Sequence, residues 1–225
     1  MIIGIFDSGS GGHTVEAEIS KLLPDAKIIY LADTTHLPYG EKSPAELQPI
    51  CEANVKALLA KGAQIIVVAC NTATTAAIDH LRQKFPTVPI IGTEPAIKQA
   101  CEQSSPAAKI LLLATEATAR SARTAKLIAQ FKLPDQKVIV ESCHGLASAI
   151  ETHDQPKINA ILSELSSALN KTQQQRSKPI ETVILGCTHY PLIRAQIQAV
   201  FSRAKLIDGG AGVAREVARL AKNMV

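Results

Sequence analysis

Ile65-Ile-Val-Val-Ala-Cys70-Asn-Thr72 is an apolar, β-branched run that ends in a cysteine, and Thr182-Val-Ile-Leu-Gly-Cys187-Thr-His189 repeats the pattern in the second half of the chain. In each stretch the apolar run predicts a buried strand, and the residues from the cysteine onward predict the start of a helix. Open α/β sheets bind ligands where parallel strands end and helices begin. We therefore expect each thiol to lie at the edge of a sheet where a ligand binds.

The rest of the chain continues this alternation of strand and helix. Short runs rich in β-branched residues are separated by helix-length segments, which predicts parallel strands joined by right-handed crossovers, hence an α/β fold of doubly wound sheets. The predicted strands are Ile2–Phe6, Lys27–Leu31, Ile65–Ala69, Pro89–Ile91, Ile110–Ala114, Lys137–Val140, Thr182–Gly186 and Lys205–Ile207.

A faint internal repeat divides the chain into two similar lobes. The run Ile2–Ser8 has a counterpart in Ile110–Thr115, and each half carries one cysteine strand late in its length. We expect a first α/β lobe of residues 1–93 with 206–225, which carries Cys70, and a second of residues 94–205, which carries Cys187. A site shared by two such lobes is expected in the cleft between them. The polar run 173–179 predicts a surface loop.

Composition excludes several classes of function. The net charge of +4 comes from scattered Lys and Arg residues, and only 3% of residues are aromatic with no Trp, so no nucleic-acid partner is expected. A small anionic ligand is compatible with this charge. The N-terminal residues 1–7 lack a basic leader pattern and no apolar run is long enough to span a membrane, so we expect a cytoplasmic protein without a membrane partner.

The cysteine count indicates reduced thiols. Five cysteines, an odd number without short spacings, do not form a disulfide framework in a chain of 225 residues. Cys51, Cys101 and Cys143 are expected to be packing or peripheral thiols.

The glycine-rich turn Asp7-Ser-Gly-Ser-Gly-Gly12 allows two interpretations. Clustered glycines let backbone N–H groups approach an anion, but the Lys-Ser/Thr pair of a phosphate-binding loop and the spacing of a dinucleotide fingerprint are both lacking. A tight turn from strand to helix explains the glycines equally well. Asp7 and Ser8, an acid and a hydroxyl at a strand end, favour a functional role.

Three interpretations of Cys70 and Cys187 compete. Each could be a small buried hydrophobe, although a thiol at a helix N-terminus has a lowered pKa and becomes a usable thiolate. A zinc site could use Cys187 and His189, but no second pair completes four ligands, so no metal is expected. A hydrolase would need one cysteine with a histidine base, which leaves the second cysteine unexplained.

Five motifs, in order, resemble the signatures of the glutamate racemase family. They are Asp7-Ser-Gly9, Pro38-Tyr-Gly40, Ala69-Cys-Asn-Thr-Ala73, Pro95-Ala-Ile97 and Leu185-Gly-Cys-Thr-His-Tyr-Pro191. The resemblance implies a cofactor-independent amino-acid racemase of two pseudo-symmetric lobes, which acts on glutamate and supplies D-glutamate for bacterial peptidoglycan. The implied partner is therefore a small molecule, and assembly into a homodimer is left open.

Racemisation accounts for both cysteines, because a proton must leave one face of Cα and another must arrive on the opposite face. Cys70 as thiolate would abstract the proton while Cys187 as thiol donates one, and the reverse reaction exchanges these roles. Charge that develops on the substrate carboxylate would be stabilised by fixed N–H and hydroxyl donors, for which Asn71, Thr72 and Thr188 are placed.

The family resemblance also implies roles for individual residues. Asp7 and His189 would assist proton transfer at Cys70 and Cys187, and Glu151 would be a further acidic assistant. The implied substrate-binding residues are Asp7, Ser8, Tyr39, Gly40, Asn71, Thr72, Thr188 and His189.

Two alternatives to glutamate racemisation remain open. One is a racemase for aspartate or another acidic amino acid, since one methylene changes pocket fit by only about 1–3 kcal/mol. The other is a weakly active relative that acts by binding.

Overall fold

The computed structural model describes residues 1–173 and 179–224, so most of the predicted loop at 173–179 lies outside the described residues. The chain divides into two compact units, Met1–Glu94 with Gly209–Val225 and Pro95–Asp208. Each unit is an α/β assembly around its own parallel sheet, which confirms the predicted fold class. Within the described residues, no helix combines the length and apolar character that crossing a membrane requires.

The first unit has a four-stranded parallel sheet in the order β2-β1-β3-β4. Its strands are β1 (Ile2–Asp7), β2 (Lys27–Ala32), β3 (Ile65–Val68) and β4 (Ile90–Gly92). Its helices, numbered in chain order with those of the second unit, are α1 (His13–Leu22), α2 (Pro44–Ala60), α3 (Asn71–Lys84) and α10 (Gly210–Lys222), with 3₁₀ turns at Thr34–His36 and Tyr39–Glu41.

Strand β3 shows why the first sheet is covered on both faces. All four of its residues are buried, as expected for a central parallel strand. Ile65 and Val67 join the core cluster that contains residues of α1 and α10, whereas Ile66 and Val68 join the cluster that contains residues of α2 and α3. Because successive side chains of a strand point to opposite faces, helices must pack on both sides.

The second unit repeats this topology. Its parallel sheet has the order β6-β5-β7-β8, which corresponds strand for strand to β2-β1-β3-β4. The strands are β5 (Lys109–Ala114), β6 (Lys137–Ser142), β7 (Ile180–Gly186) and β8 (Lys205–Asp208). The helices are α4 (Ile97–Gln103), α5 (Glu116–Arg120), α6 (Ala122–Phe131), α7 (Leu146–Glu151), α8 (Gln155–Gln173) and α9 (Arg194–Val200), with a 3₁₀ helix at Tyr190–Ile193.

The end of the second unit lies later than the sequence indicated. Strand β8 pairs with β7 from Lys205, opposite Thr182, to Asp208, opposite Leu185. A boundary after residue 205 would therefore cut a strand out of its sheet, and the chain leaves the second unit only after Asp208.

The two cysteine stretches differ in the kind of helix that begins after each strand. Cys70 is the N-cap of α3, as predicted. The prediction that Cys187 opens an α-helix is wrong, because a turn and a 3₁₀ helix precede α9. Pro191 explains the difference: it has no N–H to donate to the Cys187 carbonyl, as the first turn of an α-helix would require. The Tyr190 N–H instead donates to that carbonyl at 3.1 Å.

Close packing around Gly4 in β1 yields a test of the first unit. A Cβ at this position would lie 2.9 Å from Ala63 Cβ and 3.0 Å from Leu58 Cβ. We expect Gly4→Ala to lower the free energy of unfolding by about 1–3 kcal/mol through overpacking, measured by urea denaturation. Gly212→Ala in α10 is the control: its Cβ would approach only the Arg215 side chain, so stability should stay equal or rise by up to about 1 kcal/mol. Equal losses in both variants would contradict this packing.

Candidate active-site residues of the two units

Cys70 lies at the carboxyl end of β3, directly before α3. Its Sγ accepts a hydrogen bond from the Ala73 N–H at 3.5 Å, so the thiol caps the helix N-terminus. Backbone N–H groups and the helix dipole favour a thiolate over a thiol at such a position. The side chain is buried, which shields this charge from bulk water.

Asp7 is the last residue of β1, the strand next to β3, and Ser8 follows it directly. Parallel pairing of Phe6 with Val68 brings the residues that come after both strands to one edge of the sheet. There Ser8 Oγ lies 3.9 Å from Cys70 Sγ. The buried Asp7 carboxylate accepts a hydrogen bond from the Gly12 N–H at 2.7 Å. The glycine turn is therefore a strand-to-helix connection that also holds an acid beside the thiol's strand.

Asn71 and Thr72 form the buried first turn of α3. The Asn71 side-chain amide donates to the Thr93 carbonyl at 3.0 Å, which fixes the start of the helix to the end of β4. The structure thus gathers Asp7, Ser8, Cys70, Asn71 and Thr72 at the carboxyl edge of one sheet.

Tyr39 and Gly40 lie in the 3₁₀ turn that comes after Pro38. Tyr39 is only 2% exposed and packs in the same core cluster as Cys70, while Gly40 is half-buried. The Tyr39 hydroxyl donates to Asp33 Oδ2 at 2.6 Å. Its oxygen also accepts from the Asn54 side-chain amide at 3.1 Å. The hydroxyl is therefore part of a hydrogen-bond network whose centre, Asp33, was not predicted from the sequence.

Asp33 is an acid held at the centre of three hydrogen-bonding side chains. It is 6% exposed and contacts Tyr39, the Asn54 amide and the His36 ring, whose Nδ1 lies 2.8 Å from Oδ1. Burial by itself would raise the pKa of Asp33, but these hydrogen bonds outweigh it and the pKa is lowered. Burial, reinforced by Asp33, raises the pKa of Tyr39 far above its ordinary value.

In the second unit, Cys187, His189 and Glu151 form a line of proton-carrying groups. Cys187 Sγ lies 3.8 Å from His189 Nδ1, and His189 Nε2 lies 2.7 Å from Glu151 Oε2. His189 is 3% exposed, and Glu151 ends α7. A carboxylate at Nε2 favours the N–H on that nitrogen, which leaves Nδ1 of a neutral ring to accept the thiol proton.

Two further side chains surround the second thiol. Thr188 is buried next to Cys187, and Tyr190, which is fully buried, packs in the same cluster as Cys187 and Cys143. Burial raises the pKa of the Cys143 thiol to about 12. In the first unit, burial raises the pKa of Cys51 to about 12. Both are therefore neutral packing thiols rather than bases.

The described residues contain no group of three His, Cys, Asp or Glu side chains that could hold a metal ion. The side chains described at the two sheet edges carry thiol, carboxylate, imidazole and hydroxyl groups. These groups can donate and accept protons.

Comparison with known proteins assigns this arrangement to a family. Residues 12–217 match the Asp/Glu/hydantoin racemase family. The chain belongs to this family. It is a racemase, and therefore an isomerase.

Individual relatives of this racemase agree with the assignment. A glutamate racemase of Pseudomonas syringae pv. tomato is 41% identical over 221 residues, which cover 97% of this chain and 78% of that protein. The crystal structure of Escherichia coli glutamate racemase in complex with L-glutamate and the activator UDP-MurNAc-Ala is 35% identical, with a TM-score of 0.84, over 98% of this chain and 82% of that one. A Bacillus anthracis glutamate racemase isoform is 30% identical with a TM-score of 0.83, over 99% and 82%.

The Asp33 network of this racemase yields a pH-dependent prediction. We expect Asp33→Asn to lower the free energy of unfolding by about 1–3 kcal/mol at pH 7, because a buried hydrogen-bonded charge is lost. The pKa of Asp33 is lower in the folded than in the unfolded chain, so its contribution is present above about pH 4 and is lost as pH falls through the folded value. The difference from wild type in urea denaturation should therefore shrink below about pH 4.

Glu18→Gln is the control for Asp33→Asn, because it also replaces one carboxylate by an amide. Glu18 pairs with Lys21 on the exposed surface of α1, so its neutralisation should change stability by less than about 0.5 kcal/mol. An Asp33→Asn difference that stays constant down to about pH 3 would contradict a lowered pKa in the folded state.

Proposed function

We propose that this racemase interconverts L- and D-glutamate without a cofactor, with Cys70 and Cys187 as the two acid–base groups. The observation that carries the proposal is that each unit holds a buried thiol at the carboxyl end of a strand with a polar side chain beside it, Ser8 beside Cys70 and His189 beside Cys187. Similarity to glutamate racemases over nearly the whole chain supports glutamate as the substrate.

The chemistry requires one thiol on each face of the substrate Cα. Cys70 as thiolate takes the α-proton, the C–H electron pair passes into the carboxylate to form an enediolate-like intermediate, and in a second step Cys187 returns its thiol proton to the opposite face. The reaction then leaves Cys70 protonated and Cys187 ionised, which is the state that converts the other enantiomer. Proton exchange with water connects the two states.

Each thiol has a different local means of supporting its proton transfer. At Cys70, the N–H groups of α3 stabilise the thiolate, while Asp7 and Ser8 lie at the adjoining strand end. At Cys187, the His189 ring can accept the thiol proton, and the Glu151 carboxylate stabilises the resulting imidazolium. These contacts support the assignment of Asp7, His189 and Glu151 as assisting groups.

Charge on the substrate must be stabilised by protein donors. The most expensive step is removal of a weakly acidic α-proton, and preorganised N–H and O–H donors lower its barrier by stabilising carboxylate charge. Asn71, Thr72 and Thr188 are buried beside the two thiols and supply such donors. Ser8, Tyr39 and Gly40 complete the proposed substrate-binding set.

The biological setting is inferred from the proposed product. D-glutamate would be supplied for peptidoglycan synthesis in the cytoplasm, and the five free thiols are consistent with a reducing compartment. Assembly into a homodimer is part of the proposal and can be measured by light scattering.

Racemisation in heavy water tests the proposed reaction. We expect L-glutamate to lose optical activity while deuterium enters Cα. Because the returning proton comes from the opposite thiol, which exchanges with solvent, deuterium should appear first in the D enantiomer and only later in recovered L-glutamate. Chiral chromatography with mass spectrometry measures both pools.

The same experiment separates the alternatives. Deuterium incorporation at Cα of aspartate but not of glutamate would indicate that the protein is an aspartate racemase. If deuterium entered neither amino acid, the protein would instead be a relative that acts by binding. Early deuterium in recovered L-glutamate would contradict two opposed bases.

Replacement of each proposed base tests the roles of the thiols. Cys70→Ser and Cys187→Ser should each lower kcat by about 10²–10⁴-fold in both directions, because a serine hydroxyl is too weakly acidic to supply the base. Cys101→Ser is the matched control, since Cys101 packs in a different core cluster from Cys187 and should leave the reaction unchanged. Near-normal turnover by either active-site variant would exclude the two-base scheme.

A further inference from the structure

Tyr30 on β2 contacts the glycine turn that comes after Asp7, and neither the racemase fold nor the proposed chemistry assigns it a role. Its hydroxyl donates a hydrogen bond to the Gly9 carbonyl at 2.7 Å. Its ring stacks on the His13 ring at the start of α1, with centroids 3.9 Å apart and planes 17° from parallel. Tyr30 is half-buried and packs against the core cluster of α1 and α10. The side chain therefore reaches from the sheet to both ends of the turn.

The hydroxyl and the catalytic acid pack on the same glycine. A Cβ on Gly12 would lie 2.5 Å from Tyr30 Oη and 2.8 Å from Asp7 Cβ, so all three groups are in close contact. Gly12 also donates its N–H to Asp7 Oδ2. Side chains therefore hold the turn at two places: Tyr30 fixes the carbonyl of Gly9, and Asp7 fixes the N–H of Gly12.

We propose that Tyr30 is a positioning residue that holds Asp7 and Ser8 in the geometry needed for proton transfer at Cys70. This inference rests on the proposed two-thiol racemisation. Ser8 lies between Asp7 and Gly9, and its Oγ is 3.9 Å from Cys70 Sγ. A shift of the Gly9 carbonyl therefore moves Ser8 relative to the thiol. Tyr30 acts through the turn and does not touch the reacting atoms itself.

The structure predicts an effect on one proton transfer rather than on both. Asp7, Ser8, Tyr30 and Cys70 all belong to the first unit, whereas Cys187 and its partners belong to the second. Loss of the Tyr30 hydroxyl should therefore raise the barrier at Cys70 and leave the barrier at Cys187 unchanged. A general loosening of the protein would instead affect the barriers at both thiols.

The test is Tyr30→Phe, which retains the ring stacked on His13 and removes only the hydroxyl. We expect kcat to fall by about 10-fold with KM for glutamate changed by less than about threefold, because small misplacements of catalytic groups reduce rate more than binding. The kcat/KM isotope effect with α-deuterated substrate should rise for the enantiomer deprotonated by Cys70 and fall for the other. This opposite change is the signature of a slower step at one thiol.

The control is Gln64→Met, which removes a hydrogen bond at the other end of the same sheet. Gln64 Oε1 accepts from the Ile2 N–H at 2.9 Å, at the beginning of β1, far along the strand from Asp7. This variant should keep wild-type kcat and isotope effects. A Tyr30→Phe enzyme with wild-type kcat, or with isotope effects that change equally for both enantiomers, would overturn the inference.

A second variant covers the case in which Tyr30→Phe does not fold. Gly12→Ala places a methyl group 2.5 Å from the Tyr30 hydroxyl and 2.8 Å from Asp7 Cβ, which must displace one or both, and it should produce the same opposite change in isotope effects. A wild-type pattern in Gly12→Ala would overturn the inference. If the wild-type protein racemises neither glutamate nor aspartate, the proposed function fails instead, so the two failures are distinguishable.

Discussion

Parallel pairing of β1 with β3, and of β5 with β7, is the constraint on which the arrangement of polar groups in each unit depends. In a parallel sheet all strands end at the same edge, so residues that are distant in the chain meet there without any dedicated contact to join them. The register of Phe6 with Val68 brings Ser8 to Cys70. A slip of one residue would turn these side chains to the opposite face of the sheet.

Buried polar groups near the carboxyl edges of the two sheets form hydrogen bonds within their own unit. Asp7 accepts the Gly12 N–H, Asp33 gathers three donors, and the His189 ring contacts Glu151. Each arrangement offsets the loss of hydration that would otherwise neutralise or expel the group. It also fixes the group's orientation, because a buried hydrogen-bonded side chain has few alternative positions. Stability and preorganisation for catalysis therefore have the same physical origin here.

Elements defined by local pattern could be predicted from the sequence, and contacts between distant segments could not. β-Branched apolar runs located every strand to within about two residues, since strand formation depends on burial and side-chain shape. The helix predicted at Cys187 failed because Pro191 removes the N–H that its first turn needs. Asp33 was missed because its role depends on Tyr39, Asn54 and His36, which converge on it only in three dimensions. A polar residue directly after β2 was the one signal available.

The difference in structure after the two strands has a consequence for the chemistry. Cys70 caps an α-helix, so backbone N–H groups are aimed at its sulfur and stabilise negative charge there. Cys187 is followed by a turn and a 3₁₀ helix, and its Sγ lies beside an imidazole rather than at the N-terminus of an α-helix. A histidine backed by a carboxylate takes and returns a proton, whereas a helix N-terminus only stabilises a charge. Two units of the same topology thus give their thiols different partners, which suits the opposite roles that the proposed two-base racemisation requires of them.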